Sequence, residues 1–322
     1  MARVISKALL AATLLAGSAL ATGAAAQTYP NGPVTIVVPV ATGGPMDMLG
    51  RLVAAELSER LGQPFVVENR PGGGQSIATT YVANAAPDGQ TLLVMGHVFT
   101  MNPWLFDQLP YDLSDLAPIT QLSDHPLIMS VNPALPVESV AEFVAYAAER
   151  PGALSFGSSG PSSSLRFAGE LLMFETGIDM VHIPYSGNGP MTVALASGEV
   201  DLAFVNPVSL PFIEDGSIRA LAISSAERSA SLPDLPAVSE TIPGFNAGSW
   251  FGIMAPAGTP DAVLDLLNAE ILAMLEKPEV VATLAGVEAT PAGRTREGFA
   301  AFIDSELERW RVLIAETGLT LN

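Results

Sequence analysis

The chain has 322 residues, of which 49% are hydrophobic, and it carries 33 acidic and 14 basic residues but no cysteine. This length allows one large or two medium domains with their own cores, and the apolar content excludes a disordered chain. A formal net charge of -19 disfavours binding to nucleic acid or to anionic lipid. The absence of cysteine excludes disulfides, thiolate nucleophiles and zinc–thiolate sites.

The N-terminus has the pattern of a secretory signal peptide. Two basic residues within the first seven positions precede an apolar run over residues 8–20, and a small-residue segment ends at Ala26. The apolar run is about 13 residues long, shorter than the roughly 20 that span a bilayer, and the A-x-A pattern predicts cleavage after Ala26. The alternative is a buried hydrophobic helix. We therefore expect residues 1–26 to be removed and the mature chain to be exported to the periplasm.

Hydrophobic patterning predicts alternating strands and helices along the mature chain, with three consecutive helices at its end. This alternation is typical of an α/β fold with parallel sheets, whose ligand sites lie beyond the carboxyl ends of the strands. We predict strands at 34–38, 65–67, 91–95, 154–156, 180–183, 202–205, 220–223 and 252–254. We predict helices at about 46–61, 76–83, 140–150, 164–176, 190–197, 261–276, 278–285 and 296–316.

The first candidate site is the glycine-containing segment between the strand at 34–38 and the next helix. Glycine lets the backbone approach a ligand closely, and the free N–H groups of a helix N-terminus favour a carboxylate or phosphate. A plain strand-to-helix turn, with the aspartate stabilising the first helical turn, is the alternative. No Lys-Ser/Thr follows, so a P-loop is excluded. The segment consists of Thr42, Gly43, Gly44, Pro45, Met46 and Asp47.

The second candidate site also lies between a strand and a helix and contains three consecutive glycines, Gly72, Gly73 and Gly74, followed by Gln75. Such a run forms either a nest of N–H groups for an oxyanion or a flexible turn, and the sequence leaves both open. Arg70, just before it, is better explained by an ion pair with an acidic residue such as Glu68 than by ligand contact.

The third candidate site follows the strand at 154–156 and combines small polar residues with one arginine. Hydroxyls, glycine amides and a guanidinium together suit recognition of a planar carboxylate. The alternative is that the serines only cap the next helix. Serine hydrolase chemistry is disfavoured because the G-x-S-x-G motif is missing. The candidate residues are Ser158, Ser159, Gly160, Ser162, Ser163 and Arg166.

The three histidines are His97, His125 and His182, and none has a second histidine or a carboxylate at helical metal-site spacing. We therefore expect neither a metal nor another cofactor. His182, inside a strand, is typical of a hydrogen-bonded core residue, whereas His97 follows a strand end and is a candidate for facing a ligand. Trp250 and Phe251 are predicted to pack in the core.

Several short motifs occur in a fixed order over the mature chain from Tyr29 onwards. They are Tyr29-Pro30, Gly43-Gly44-x-x-Asp47, Glu68-Asn69-Arg70-Pro71-Gly72, Ala86-Pro87-Asp88-Gly89, Leu109-Pro110-Tyr111-Asp112, Gly157-Ser158-Ser159-Gly160, His182-Ile183-Pro184-Tyr185 and Trp250-Phe251-Gly252. In this combination the sequence resembles the Bug family, the periplasmic substrate-binding proteins of tripartite tricarboxylate transporters.

The resemblance implies a type II periplasmic-binding-protein fold, in which two α/β domains joined by crossing strands enclose a ligand cleft. It places domain 1 at 27–124 plus 250–322 and domain 2 at 125–249. Members of the family mostly bind small organic carboxylates without catalysis. By this resemblance, main-chain amides and waters at 42–47 hold one carboxylate and Gly73, Gly74 and Gln75 lie beside it. The segment at 157–164 meets the other end of the ligand.

The resemblance also assigns the edges of the cleft to His97, Tyr185 and Asn206, and it implies a monomer that works with membrane transporter subunits. Three positions depart from the family pattern: Arg166 stands where histidine is common, Ser186 where a basic or polar residue is common, and Val205 where aspartate is usual. An arginine clasps a carboxylate bidentately, so we expect a ligand with two or three carboxylates. The missing aspartate disfavours an amino acid. Alternatively, Arg166 points to solvent or bridges to Glu170, its i+4 neighbour.

We therefore predict a non-enzymatic receptor that captures a small carboxylate by domain closure and delivers it to a membrane transporter. One alternative keeps the fold and makes the closed form a signal for a membrane sensor kinase. Another is a secreted hydrolase that uses Ser76 or a serine within 158–164, although the sequence offers it no plausible base.

Overall fold

The computed structural model describes residues 29–317 except residues 107, 161, 162, 230 and 288. The predicted signal peptide and the candidate residue Ser162 lie outside the described residues. None of the helices within the described residues is long and apolar enough to span a membrane.

The secondary structure follows the predicted alternation of strands and helices. The strands are β1 (Val34–Val38), β2 (Phe65–Asn69), β3 (Thr91–Gly96), β4 (Leu116–Pro126), β5 (Ile128–Val131), β6 (Leu154–Ser158), β7 (Met180–Pro184), β8 (Leu202–Val205), β9 (Arg219–Ile223), β10 (Gly248–Pro256) and β11 (Thr290–Pro291). The helices are α1 (Pro45–Leu61), α2 (Ser76–Ala83), α3 (His97–Leu105), α4 (Val140–Ala148), α5 (Ser164–Thr176), α6 (Asn188–Ser197), α7 (Leu210–Glu214), α8 (Asp261–Leu275), α9 (Pro278–Ala285) and α10 (Arg296–Thr317).

The described strands form two sheets, each the centre of one lobe. The six-stranded sheet has the order β11-β4-β10-β3-β1-β2, and the five-stranded sheet has the order β7-β6-β8-β5-β9. We call the first sheet with α1–α3 and α8–α10 lobe 1, and the second sheet with α4–α7 lobe 2. This architecture confirms the predicted α/β class with two lobes.

Two neighbouring strands connect the lobes. β4 runs to Pro126 and is followed at once by β5 of lobe 2, whereas β10 leads the chain back into lobe 1. β4 and β10 pair antiparallel along their whole lengths, from Gly248 opposite Pro126 to Pro256 opposite Leu116. We call these two strands the hinge strands.

The expected parallel pairing is present in both sheets, together with antiparallel strands. β1, β2 and β3 are parallel to one another, as are β6, β7 and β8, but β10 is antiparallel to both β3 and β4, and β5 is antiparallel to both β8 and β9. The reason is that the chain crosses between the lobes. A strand that enters a sheet from the other lobe runs antiparallel to its neighbours.

Each lobe has its own apolar core, and a small cluster joins the two. The large core of lobe 2 contains Phe143, Phe156 and Phe204, and two cores cover the faces of the lobe 1 sheet. Phe167 of α5 packs with Met101 of α3 and with Trp310 of α10, its ring centroid 5.4 Å from that of Trp310. This cluster holds the first turn of α5 against lobe 1.

The two predicted core aromatics beside the hinge are buried, which confirms their packing role. Trp250 and Phe251 are 4% and 8% exposed. The indole nitrogens of Trp250 and Trp310 donate to the same oxygen, Glu306 Oε2, at 3.1 and 3.2 Å. A carboxylate buried in lobe 1 therefore links a hinge strand to α10.

Candidate functional site

The predicted ligand residues follow the carboxyl ends of parallel strands in both sheets. In lobe 1, residues 42–47 follow β1, residues 73–75 follow β2, and His97 follows β3. In lobe 2, residues 158–160 end or follow β6, Tyr185 follows β7, and Asn206 follows β8. In lobe 1 the hinge strand β10 borders the group β3, β1 and β2, and in lobe 2 β5, which directly follows the hinge strand β4, borders the group β8, β6 and β7. We therefore expect both sets of loops to lie on the same side of the hinge. We call the space on this side of the hinge strands the cleft.

Asp47 is turned inward and holds the first candidate segment together. One carboxylate oxygen accepts from the Gly43 N–H at 3.0 Å, and Arg51 donates to both oxygens at 3.0 Å. The Asn69 side chain donates to Oδ1 at 2.8 Å. The hydrogen bond from Arg51, opposed by burial and reinforced by Asn69 and Gly43, lowers the pKa of Asp47 to about 2. The Asp47 carboxylate therefore shapes the loop.

The rest of this segment presents backbone to the cleft. Thr42, Gly43 and Pro45 are exposed, Gly44 is half-buried, and the Met46 side chain is buried in the lobe 1 core. Gly43 has a φ of 100°, which favours glycine. Pro45 begins α1, so the N–H groups of Met46 and Asp47 have no acceptor within the helix. Such first-turn amides are the groups that hold an anion where one binds at a helix N-terminus.

The glycine run adopts a conformation that explains its composition. Gly72, Gly73, Gly74 and Gln75 have φ values of 119°, 58°, 59° and 74°, so four consecutive residues are left-handed. A side chain at the first three positions is strained, and Gln75 is the one non-glycine residue with positive φ in the described chain. Asn102 of α3 donates to the Gly74 carbonyl at 2.9 Å and fixes the turn. Just before it, Arg70 pairs with Glu68 at 2.7 Å, the structural role expected for it.

In lobe 2, the serines of the third segment contact their own neighbours. The Ser158 side chain is buried and donates to the Gly160 carbonyl at 3.1 Å. The Ser163 hydroxyl accepts from the Arg166 N–H at 3.3 Å and so caps α5. Ser159 and Gly160 are half-buried at the rim. The helix-capping alternative is therefore correct for Ser163.

The Ser158 hydroxyl also lies 2.7 Å from His182 Nε2, a spacing that resembles a nucleophile and its base. Burial, with a smaller effect of nearby Arg166, lowers the pKa of His182 to about 4, so the imidazole is neutral. Ser158 is fully buried, and within the described residues no carboxylate bonds to His182. The pair lacks the exposure and the third group of a catalytic triad. His182 is hydrogen-bonded as predicted, but it is half-buried and not part of the core.

Arg166 bonds to Glu170, one of the two alternatives left open by the sequence. Its Nε lies 3.2 Å from Glu170 Oε1, and the two side chains are 15% and 11% exposed. The i, i+4 spacing on α5 brings them together. Glu170 thus fixes the orientation of the guanidinium at the first turn of α5.

The remaining lobe 2 candidates are joined by residues that the sequence analysis missed. The Tyr185 N–H donates to the Ser158 carbonyl at 2.9 Å. Asn206 donates through its backbone and side chain to Asn188 Oδ1, each at 3.4 Å, and Asn188 in turn donates to Ser209. Asn188, the first residue of α6, was missed because nothing in its local sequence marks it, and only its tertiary neighbours identify it.

His97 is the most unusual side chain of the site. Both ring nitrogens are buried, and neither has a hydrogen-bond partner among the described residues. Burial, with a smaller effect of Arg309, lowers the pKa of His97 to about 4, so the ring is neutral at physiological pH. His125 differs, because its Nε2 lies 2.9 Å from the Ser123 hydroxyl. No group of three potential metal-binding side chains occurs in the part of the chain described.

Comparison with known proteins identifies the family. The sequence model described as tripartite tricarboxylate transporter family receptor matches residues 49–319. Protein BugT of Bordetella pertussis is 37% identical over 312 residues, 95% of this chain and 96% of BugT. A Rhodopseudomonas palustris protein solved with adipate is 36% identical with a TM-score of 0.73, covering 91% of this chain and 100% of that one. MatC of the same species, solved with bound malate, is 33% identical with a TM-score of 0.69, covering 89% and 100%.

The sequence match and the two-lobed fold agree over nearly the whole described chain. The chain therefore belongs to the tripartite tricarboxylate transporter receptor family, the family of the Bug proteins.

Proposed function

We propose that the protein binds a small organic carboxylate with two or three carboxylate groups in the cleft and presents it to the membrane subunits of a tripartite tricarboxylate transporter. The observation that carries this proposal is that the candidate residues follow the ends of six strands, three in each lobe, which run parallel within their lobe. Ligand sites of open α/β sheets lie at such ends. Relatives solved with adipate and with malate, both dicarboxylates, support the ligand class.

The proposed contacts combine backbone amides of lobe 1 with polar side chains of lobe 2. The first-turn N–H groups of α1 and the left-handed turn at 73–75 bind one carboxylate. Arg166, oriented by Glu170, binds a second carboxylate, and Ser159, Gly160, Tyr185 and Asn206 line the rim. His97 donates its ring N–H to the ligand and so gains a partner for a buried donor.

The proposed mechanism is closure of the lobes about the hinge strands. A ligand that contacts both lobes stabilises the closed state by its additional contacts there, and burial strengthens its hydrogen bonds. We propose domain boundaries at 27–124 plus 250–322 and at 125–249, which place most of each sheet in one domain. The remaining elements of the proposal are cleavage after Ala26, a periplasmic monomer and no catalytic step.

The test is thermal unfolding of the mature protein after denaturation and refolding, which removes ligand carried through purification. Mono-, di- and tricarboxylates, aromatic acids and neutral sugars are compared. Ligand at 100 times its dissociation constant stabilises by about 2.7 kcal/mol, a shift of several degrees. We expect shifts with di- or tricarboxylates. Stabilisation by sugars alone, or by no carboxylate, would contradict the proposal.

A further inference from the structure

A second cavity lies on the opposite side of the hinge strands from the cleft. Its volume is about 530 Å³, within the range of small-molecule sites. The cavity is lined by both hinge strands, by the segment that follows β9 in lobe 2, and by β11 and α10 in lobe 1. We call it the rear cavity.

The sheet orders show why the rear cavity and the cleft are separate. In lobe 1, β3, β1 and β2 lie on one side of the hinge strands and β11 lies on the other. In lobe 2, β8, β6 and β7 lie on one side of β5 and β9 lies on the other. The candidate ligand residues follow the first group of strands. The rear cavity is formed at the second group.

Two side chains of opposite charge, Asp124 and Arg294, line this cavity and are held in place by hydrogen bonds. Gln121 on β4 is completely buried, and its amide nitrogen donates to Asp124 Oδ1 at 2.6 Å. Arg294 Nε donates to the oxygen of the same side-chain amide, also at 2.6 Å. The Arg294 backbone is anchored as well, because its N–H donates to the buried Thr120 hydroxyl at 3.1 Å and its carbonyl accepts from that hydroxyl at 2.8 Å. One rigid strand thus positions a carboxylate beside a guanidinium.

Asp124 and Arg294 form no ion pair with each other, and no ion pair between either of them and another described residue is present. Two arginines of the cavity wall are already matched. Arg309 pairs with Glu306 at 3.2 Å, and Arg228 pairs with Glu240 at 2.7 Å. Glu227 also lines the cavity, but its side chain is exposed. The charged groups that the buried Gln121 holds at the wall are one carboxylate, Asp124, and one cation, Arg294.

The rest of the wall is suited to a molecule with an apolar part. The Trp250 and Phe302 side chains line the cavity, and the Arg294 guanidinium lies 4.8 Å from the centre of the Phe302 ring. This contact leaves the guanidinium edge available for a carboxylate.

We propose that the rear cavity is a second binding site, which takes an amino acid or a similar small zwitterion. Asp124 binds the ammonium group, Arg294 binds the carboxylate, and Trp250 and Phe302 contact the side chain. A molecule with only one of the two charges makes only one of the two charge-assisted contacts, and so binds more weakly. The site shares no residue with those proposed to bind the carboxylate in the cleft.

The first test is isothermal titration of the refolded mature protein with the 20 standard L-amino acids, each singly. The strongest binder is then compared with its N-acetyl derivative, which lacks the ammonium group, and with its amide, which lacks the carboxylate. We expect each derivative to bind about 10-fold more weakly or worse, the effect of losing one charged hydrogen bond.

Substitutions at the proposed contacts test whether the amino acid binds in the rear cavity. Asp124→Asn is an isosteric change and Arg294→Gln a shorter, uncharged one at the two proposed contacts, and each should weaken amino acid binding by about 10-fold or more. Arg228→Gln is the matched control, because Arg228 also lines the cavity but is paired with Glu240; it should leave amino acid binding unchanged. Adipate binding to each variant checks that the cleft is intact.

The outcomes are separable from those of the proposed function. No binding of any amino acid, in a protein that binds adipate, overturns the second site and leaves the cleft proposal standing. Amino acid binding that survives Asp124→Asn and Arg294→Gln also overturns it, and competition with adipate would then place the amino acid in the cleft. Amino acid binding lost in both variants supports the second site even if adipate does not bind.

Discussion

Asp47 illustrates how a single buried side chain fixes the conformation of a loop. Its carboxylate is 4% exposed and accepts hydrogen bonds from Gly43, Arg51 and Asn69. Gly43 lies in the exposed turn, Arg51 one turn along α1, and Asn69 at the end of β2. A carboxylate with three donors in these places fixes the turn relative to both elements.

We expect Asp47→Asn to lower the free energy of unfolding by about 1 to 2 kcal/mol at pH 7, because the charge-assisted bonds to Arg51 are lost. The pKa of Asp47 is lowered from 3.8 to about 2 in the folded state. Its contribution is therefore fully present above about pH 4 and is lost as pH falls through about 2. Urea unfolding from pH 7 to pH 2 measures both effects.

Asp304→Asn is the control for Asp47→Asn, because Asp304 is exposed on α10 and the substitution changes the charge equally. Its unfolding free energy should stay within about 0.5 kcal/mol of the wild type. Equal effects of the two substitutions would show that Asp47 acts only through net charge.

Arg166 gives a prediction about ligand class. If it binds the second carboxylate, Arg166→Ala weakens a dicarboxylate such as adipate by about 10-fold or more and weakens a monocarboxylate much less. Titration calorimetry with adipate and with hexanoate, which has the same chain length, measures the difference. Equal losses for both acids would exclude the contact with a second carboxylate.

Glu170→Gln is the companion variant for Arg166→Ala, since it keeps the shape of the side chain but removes the partner charge. We expect it to preserve the preference for adipate over hexanoate, because the guanidinium remains. Loss of the preference in this variant would mean that orientation by Glu170 is essential.

At the residue scale, the sequence predicted the positions of the candidate site better than the roles of its side chains. Glycines of the turn at 72–74 and the first turn of α1 could be recognised because backbone conformation depends on local residue type. The roles of Asp47 and Ser158 depend on Asn69 and His182, which are distant in sequence. Such partners are brought together only by the fold.

At the scale of elements, the cluster between lobes depends on one aromatic residue of α5. Phe167 is 1% exposed and packs against Trp310 of lobe 1. Phe174 lies on the same helix but is 39% exposed. Substituting Phe167 and Phe174 separately therefore distinguishes the stability contributed by the contact between the lobes from the stability contributed by α5 itself.

We expect Phe167→Ala to lower the free energy of unfolding by about 3 kcal/mol through lost burial and cavity formation. Phe174→Ala should lower it by less than about 1 kcal/mol, because little surface is buried there. Urea unfolding followed by circular dichroism and by tryptophan fluorescence compares the two variants. Similar losses would show that α5 rather than the contact between lobes determines the stability.

Elements with clear periodicity or caps were predicted closely. The first helix was expected from position 46 and begins at Pro45, and the strand at 34–38 was predicted with its observed bounds. β4 and α3 were missed. β4 contains Pro118 and Pro126 and buries the polar Thr120, Gln121 and Ser123, so its extended conformation depends on pairing with β10. α3 contains Pro103 in its interior, which argues against a helix in isolation.

At the scale of the whole molecule, closure predicts a change in shape. The two lobes are joined by adjacent hinge strands, a connection that allows rotation of one lobe relative to the other. Adding saturating ligand should therefore decrease the radius of gyration, toward the ~19 Å expected for a compact chain of about 300 residues. Small-angle X-ray scattering of refolded protein, with and without ligand, measures this. An unchanged radius with confirmed binding would contradict closure.

The hinge strands β4 and β10 lie between the cleft and the rear cavity, so a rotation of the lobes about these strands affects both spaces. A rotation that narrows the cleft widens the rear cavity, so space gained on one side is lost on the other. The equilibrium between the open and closed arrangements of the lobes then depends also on residues outside the cleft, including Asp124, Arg294 and Phe302. Relatives with identical clefts can therefore differ in affinity through their rear surfaces alone, and comparing only the residues around the ligand would miss the cause.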